Sequence, residues 1–200
     1  MTSVYRQFTH PTGWLGAVVG MLMAVKNRER SEWVLSQLGA APGDRVLEIG
    51  FGPGVDIARV AASGASVAGL DRSDVMVRQA SRRSAAAIRA GRVDLRHGAM
   101  PELPFADASF DKAYAINSYQ FWPHTSRSLA ELRRVLRPGG LVVLAVQPRT
   151  SGATDVTARE TGEQIAQAVR EAGFDEVRLL LKPMKPVATA CVTATVKVKS

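Results

Sequence analysis

Residues 46–54 read Val46-Leu47-Glu48-Ile49-Gly50-Phe51-Gly52-Pro53-Gly54, an apolar run that breaks into three glycines at alternate positions. Val46, Leu47 and Ile49 suit a buried strand, and a helical pattern follows at once. Glycine accepts positive φ and leaves no Cβ between the backbone and a ligand. Pro53 fits the first turn of the following helix, where its missing N–H costs nothing. The helix N-terminus offers free amides to a polar or anionic group, and Glu48 sets a carboxylate at the mouth of the strand. The pattern implies a nucleotide-type ligand at the C-terminal edge of a parallel sheet. The dinucleotide fingerprint G-x-G-x-x-G does not fit, because its third glycine falls at position 55, which is Val55.

Three further segments extend the reading. Ser66–Leu70 is a second strand pattern ending in Asp71, where an acid about 20 residues past the first glycine can hydrogen-bond ribose hydroxyls. Gly98-Ala99-Met100-Pro101-Glu102-Leu103-Pro104-Phe105 is followed by Ser109-Phe110-Asp111. Arg134-Val135-Leu136-Arg137-Pro138-Gly139-Gly140 runs into Leu141-Val142-Val143-Leu144. Together with E-x-G-x-G-x-G, these segments stand over residues 42–147 in an order that resembles the class I S-adenosylmethionine-dependent methyltransferases. Within that class the chain is similar to the small-molecule branch called methyltransferase type 11, which includes the quinone-biosynthesis C-methyltransferases.

The resemblance implies S-adenosyl-L-methionine as cofactor and S-adenosyl-L-homocysteine as product. It points to Glu48, Gly50, Phe51, Gly52, Gly54, Asp71, Arg72, Met76, Gly98, Ala99, Met100 and Asn117 as cofactor-binding residues, with Asp71 on the ribose. One departure stands out. Where many relatives carry an acid that caps the adenine amino group, this chain has Ala99, which leaves that contact to backbone around Ala99 and Met100 or to water.

Alternating patterns set the architecture. Helices are expected over 13–26, 28–39, 53–62, 73–89, 124–137 and 157–172. Strands are expected over 45–49, 65–70, 92–97, 111–116, 140–147, 175–182 and 188–198. Strands alternating with helices imply an α/β fold with a mostly parallel sheet covered on both faces. The last two strands are too close in sequence for a parallel crossover and must pair antiparallel. The resemblance adds a Rossmann-like seven-stranded sheet of order 3-2-1-4-5-7-6. It divides the chain into an N-terminal helical cap over 1–40 and a cofactor-binding domain over 41–200.

Composition bounds the rest. Two hundred residues, 46% of them hydrophobic, suit one domain with a sizeable core. The lone Cys191 cannot form an intrachain disulfide, which suits a reducing cytoplasm. His10, His97 and His124 are not spaced as metal ligands, so no metal is expected. No signal peptide is evident. Trp14–Val25 is apolar but too short to cross a bilayer. Lys26, Arg28 and Arg30 follow it, which allows at most peripheral membrane contact. The net charge of +8 and the arginines at 78, 82, 83 and 89 invite nucleic acid. A solvated basic face is the simpler reading, with no zinc module and no Asn-Pro-Pro-Tyr tetrapeptide after the fourth strand.

Methyl transfer is an in-line displacement in which alignment and exclusion of water matter more than a nucleophilic side chain. Candidates for the acceptor pocket therefore lie in Asn117-Ser118-Tyr119-Gln120-Phe121-Trp122-Pro123-His124, past the fourth strand. Tyr119, Phe121 and Trp122 are expected to wall the acceptor, although aromatics there also suit plain packing. His124 is a candidate general base because its ordinary pKa is near neutrality, and Tyr119 a second catalytic candidate. Trp14 and Met21 are expected to close over the substrate from the N-terminal segment. The expected function is methyl transfer to a small, apolar or aromatic acceptor by a monomer or homodimer. The alternatives are a nucleic-acid (RNA) methyltransferase and a non-catalytic S-adenosylmethionine-binding protein.

Overall fold

The computed structural model describes residues 27–198, and the candidates Trp14, Met21 and His10 lie outside them. Helix α1 covers 27–38 of the described chain. There follow β1 (Arg45–Ile49), α2 (Val55–Ala62), β2 (Ser66–Asp71), α3 (Asp74–Arg83), α4 (Ala85–Arg89), β3 (Val93–His97) and β4 (Phe110–Ile116). A 3-10 turn at Tyr119–Phe121 leads to α5 (Thr125–Val135), β5 (Leu136–Val146), α6 (Asp155–Glu171), β6 (Phe174–Lys182) and β7 (Thr189–Val196). The seven strands form one sheet in the order 3-2-1-4-5-7-6. Pairings among β1 to β5 are parallel, whereas β7 runs antiparallel to both β5 and β6.

Strand alternation sends side chains to two cores, because successive residues point to opposite faces. Val46, Val67, Tyr114 and Val143 pack under Val34 and Leu38 of α1, Ile57 and Val60 of α2, and Ala80 of α3. Leu47, Leu70, Ala113 and Val142 pack under Leu129 and Leu132 of α5 and Ile165 and Val169 of α6. Helices thus cover both faces, and the loops that follow β1, β2, β3 and β4 meet at one sheet edge.

Three of the boundaries that differ from the sequence reading have a local physical reason. The helix expected from residue 53 starts at Val55, because Gly54 caps it at φ 73, in the left-handed region. Pro53 therefore precedes the cap and does not occupy the first turn. The helix expected over 73–89 breaks at Ser84 (φ −99, ψ 14) into α3 and α4, and Ala87 and Ile88 pack on the core beyond the break. The fifth strand starts at Leu136, opposite Phe110, but its next partner pair is Lys112 with Leu141. Arg137–Gly140 is therefore looped out of the ladder, as a proline and two glycines favour. Among the described residues no helix is long and apolar enough to cross a membrane.

Candidate active site

The larger of two adjoining cavities, about 470 Å³, opens at this sheet edge and is lined by Gly50 and Gly52 after β1, by Asp71 and Arg72 at the end of β2, by Gly98–Met100 after β3, and by Asn117, Ser118 and Phe121–Pro123 after β4. Its size falls in the range of small-molecule sites. Asp71 is buried, and its carboxylate accepts the Gly52 N–H at 2.8 Å and the Ser73 N–H at 2.9 Å. One carboxylate thereby ties the glycine loop to the start of α3. Ser73 then caps α3 by accepting the Met76 N–H through its hydroxyl at 3.4 Å. The Arg72 guanidinium lies 5.4 Å from the centre of the Phe121 ring, a cation–π contact. The Trp122 indole N–H is buried without a partner among the described residues.

A second compartment, about 380 Å³, shares Gly50, Gly52 and Asn117 with the first. Phe51, Val55 and Ile116 give it apolar wall, and Arg30, Arg59, Arg149 and Asn27 give it polar wall. Asn117 sits at the junction with φ 53. Its side-chain oxygen accepts the Gln147 N–H at 2.8 Å, while its Nδ2 is buried and unpartnered among the described residues. Buried polar groups are normally paired, so an unpaired donor at a cavity wall is a contact available to a ligand.

Glu48 lies in the wall of this compartment and is 3% exposed. Its carboxyl accepts the Tyr114 hydroxyl at 2.6 Å. Burial, with Asp56 and Asp71 nearby, pushes its pKa up to about 8, so the group is largely neutral at pH 7. A carboxyl raised from 4.5 to about 8 on folding contributes stability that is complete below the lower value and lost as pH climbs through the higher one. Glu48→Gln keeps an oxygen for Tyr114 and has no proton to lose. Chemical denaturation at pH 5 and pH 9 should show the wild type losing stability relative to this variant, and parallel pH profiles would refute the buried neutral carboxyl.

The structure gathers Gly50, Gly52, Asp71, Arg72, Gly98, Ala99, Met100 and Asn117 around the larger cavity, and Glu48 and Phe51 around the second. Phe121 and Trp122, expected to wall the acceptor, line the larger cavity. Gly54 and Met76 line neither cavity: Gly54 packs α2 on Ala80, and Met76 belongs to α3. Tyr119 also lines neither; its ring lies 5.1 Å from that of Trp122 at a 54° tilt, and burial raises its pKa. His124 is exposed at the cap of α5 with φ 48, outside both cavities. Cys191 is fully buried, and desolvation pushes its thiol up to about 12, an inert state. No group of three His, Cys, Asp or Glu side chains is placed to hold a metal among the described residues.

Sequence reasoning missed Arg30 and Arg149. Arg30 carried a signal, since it stands at i−4 and i−8 to Val34 and Leu38 on one helix face. All three are buried, at 5%, 0% and 1% exposure.

Comparison with known proteins agrees with this geometry. A model described as a methyltransferase domain matches residues 47–144. The chain is 30% identical over 179 residues to the uncharacterized methyltransferase YdaC of Bacillus subtilis (strain 168), covering 88% of this chain and 97% of that protein. It is 28% identical over 187 residues to the O-methyltransferase resE of Aspergillus sclerotiorum, covering 87% and 71%. The crystal structure of the [4+2]-cyclase SpnF superposes with a TM-score of 0.70 at 21% identity over 86% of this chain and 82% of that one, a likeness of fold. The larger cavity fits a nucleoside ligand: a buried acid, a glycine loop with open space at Gly52, and unpartnered donors at Asn117 and Trp122. Likeness along nearly the whole of a bacterial methyltransferase, joined to that cavity, means that this chain belongs to the S-adenosylmethionine-dependent methyltransferases and takes S-adenosylmethionine as its cofactor.

Proposed function

We propose that the chain moves a methyl group from S-adenosylmethionine to a small-molecule acceptor held in the second compartment. The observation that supports this reading most is the sharing of Gly50, Gly52 and Asn117 by the two cavities, which sets a cofactor space and an acceptor space on either side of one junction. The cofactor, when bound, supplies an electrophilic sulfonium methyl. Asp71 and the Gly52 loop bind it, Ala99 and Met100 flank the base, and Asn117 orients groups at the junction. Phe51, Val55 and Ile116 exclude water from the acceptor and suit an apolar or aromatic body. His124 and Tyr119 stand outside both cavities, so alignment rather than a side-chain base drives transfer in this reading.

The share of the N-terminal segment in capping is also our proposal. Residues 27, 30 and 31 of α1 line the second compartment, which supports a cap role for 1–40. A cytoplasmic setting is likewise proposed, on the buried unpaired cysteine. The test is transfer of labelled methyl from S-adenosylmethionine into a cell extract separated into small-molecule, lipid, nucleic-acid and protein fractions. Label is expected among small molecules or lipids. Label confined to nucleic acid would replace this reading with the RNA enzyme, and cofactor binding with no label in any fraction would favour a non-catalytic protein.

A further inference from the structure

We infer that the C-terminal edge of the parallel strands, where both cavities open, docks on an anionic lipid bilayer, with the apolar stretch Trp14–Val25 as a second point of attachment. This stands apart from the reading of either cavity.

Five large apolar side chains are exposed among the described residues: Val55, Val75, Phe121, Val156 and Val198. Four of them stand at one edge. Val55 opens α2 after β1, Val75 is the second residue of α3 after β2, Phe121 ends the 3-10 turn after β4, and Val156 is the second residue of α6 after β5. These four strands are neighbours and run parallel. The row therefore spans about 14 Å at the usual strand spacing. Val75 is 48% exposed, Phe121 59% and Val156 62%, so each has much surface left to bury. Single scattered valines need no explanation, whereas a row of apolar side chains beside two cavity mouths marks an interaction surface. Nothing in the local fold asks for valine at the second position of α3 or α6, where an acid suits the helix dipole better.

The chain before α1 joins the fold at the same edge, because Asn27 lines the second compartment. Trp14–Val25 consists of apolar residues and glycine alone. A segment that only covered the row would keep a polar face for water, whereas one that is apolar all round needs apolar surroundings on every side. A bilayer supplies them, and twelve residues reach into one leaflet only.

Charge selects the lipid. Residues 1–28 hold Arg6, Lys26 and Arg28 and no acid, in a chain of net charge +8. At the edge itself Asp56 and Glu102 are paired with Arg59 and Arg127, and Asp74 faces His97. Arg72 is exposed there beside Phe121. β6 runs parallel to β5, since both are antiparallel to β7, so the exposed Lys185 that follows β6 stands at this edge as well. Cations around apolar side chains are the pattern that holds a protein on anionic lipid. A nucleic acid would pair with the cations and leave the valines in water.

The test floats the full chain with vesicles of equal parts phosphatidylglycerol and phosphatidylcholine, and with vesicles of phosphatidylcholine alone. The wild type should rise with the anionic vesicles and bind the neutral ones about ten-fold more weakly. Val75→Asp combined with Val156→Asp should cut anionic binding at least about ten-fold. Both positions are exposed, lie outside both cavities and accept an acid in a first helical turn, so the melt and S-adenosylhomocysteine affinity should not move. Leu15→Asp combined with Leu22→Asp should cut binding about as much. No flotation overturns the inference, and so does equal binding to the two kinds of vesicle. Flotation that survives the valine changes and is lost with the leucine changes overturns docking through this edge. Retention on single-stranded RNA in place of vesicles assigns the surface to nucleic acid. A dimer in sedimentation velocity that the valine changes dissolve, with no vesicle binding, assigns it to a second copy of the chain. Either result overturns the bilayer.

Discussion

Asp71→Ala is expected to weaken S-adenosylhomocysteine binding about 100-fold while leaving the chain folded. The buried carboxylate accepts two backbone N–H groups, from Gly52 and Ser73, at 2.8 and 2.9 Å. Charge-assisted bonds are shorter and more directional than neutral ones, and here they fix the geometry of the cavity floor. Alanine leaves the part-buried Gly52 and Ser73 N–H groups to water, releases the glycine loop from α3, and removes the acid that the proposed reading places on the ribose. The core beneath does not change, so unfolding should shift by only a few degrees, since about 1 kcal/mol moves the Tm of a chain this size by about 2–4 °C. Isothermal titration with S-adenosylhomocysteine, paired with a thermal melt, separates the two effects. Unchanged affinity would remove Asp71 from the cofactor site. A collapse of the melt alongside lost binding would instead make it a folding residue. Asp71→Asn should recover little, because an amide offers one acceptor and turns a donor toward the other N–H.

The sheet was legible because its signals are local and redundant. Val46-Leu47 and Ile49 before the glycines, Ser66–Leu70 before Asp71, and Leu141–Leu144 after Gly139-Gly140 each mark a strand by composition and by what stops it. The resemblance supplied the strand order, which the structure shows. What failed to show in the sequence depends on contacts far apart in the chain. The Arg30–Gln147 bond spans 117 positions, and Arg149 meets Asn27 across 122. No window of sequence reveals that two arginines share one oxygen, although Arg30 in line with Val34 and Leu38 flagged a charge on an apolar face. His124 misled for a local reason: it adopts the left-handed cap conformation before α5, which turns it out to solvent. The expected helix through 73–89 failed because alanine and arginine favour helix throughout, and propensity does not register the bend at the buried Ser84.

The alternate glycines read alike in the sequence, yet the structure gives them different work, and Gly54→Ala should have the largest effect on stability. Gly54 holds φ 73, and a Cβ there would fall 2.5 Å from the Ala80 Cβ and 2.9 Å from its Cα. Ala80 is fully buried and has no rotamer with which to retreat, so α2 and α3 must separate. The left-handed backbone costs about 1–2 kcal/mol for any residue with a Cβ. Overpacking adds about 1–3 kcal/mol. A loss of about 2–5 kcal/mol should lower the Tm by about 4–20 °C in a chain of this size. Gly52→Ala is the contrast. Its φ is 53, but its added Cβ meets nothing within 4 Å, in the space that the cofactor reading assigns to ligand. It should cost only the backbone term in a melt while cutting S-adenosylhomocysteine affinity strongly. Ala80→Gly in the Gly54→Ala background separates the two costs, because it relieves the clash and leaves the φ strain. The double variant should be more stable than the sum of the single changes allows, since residues in contact are not additive. Strict additivity would mean that Gly54 is needed for its backbone conformation alone, and that the two helices tolerate a methyl group between them.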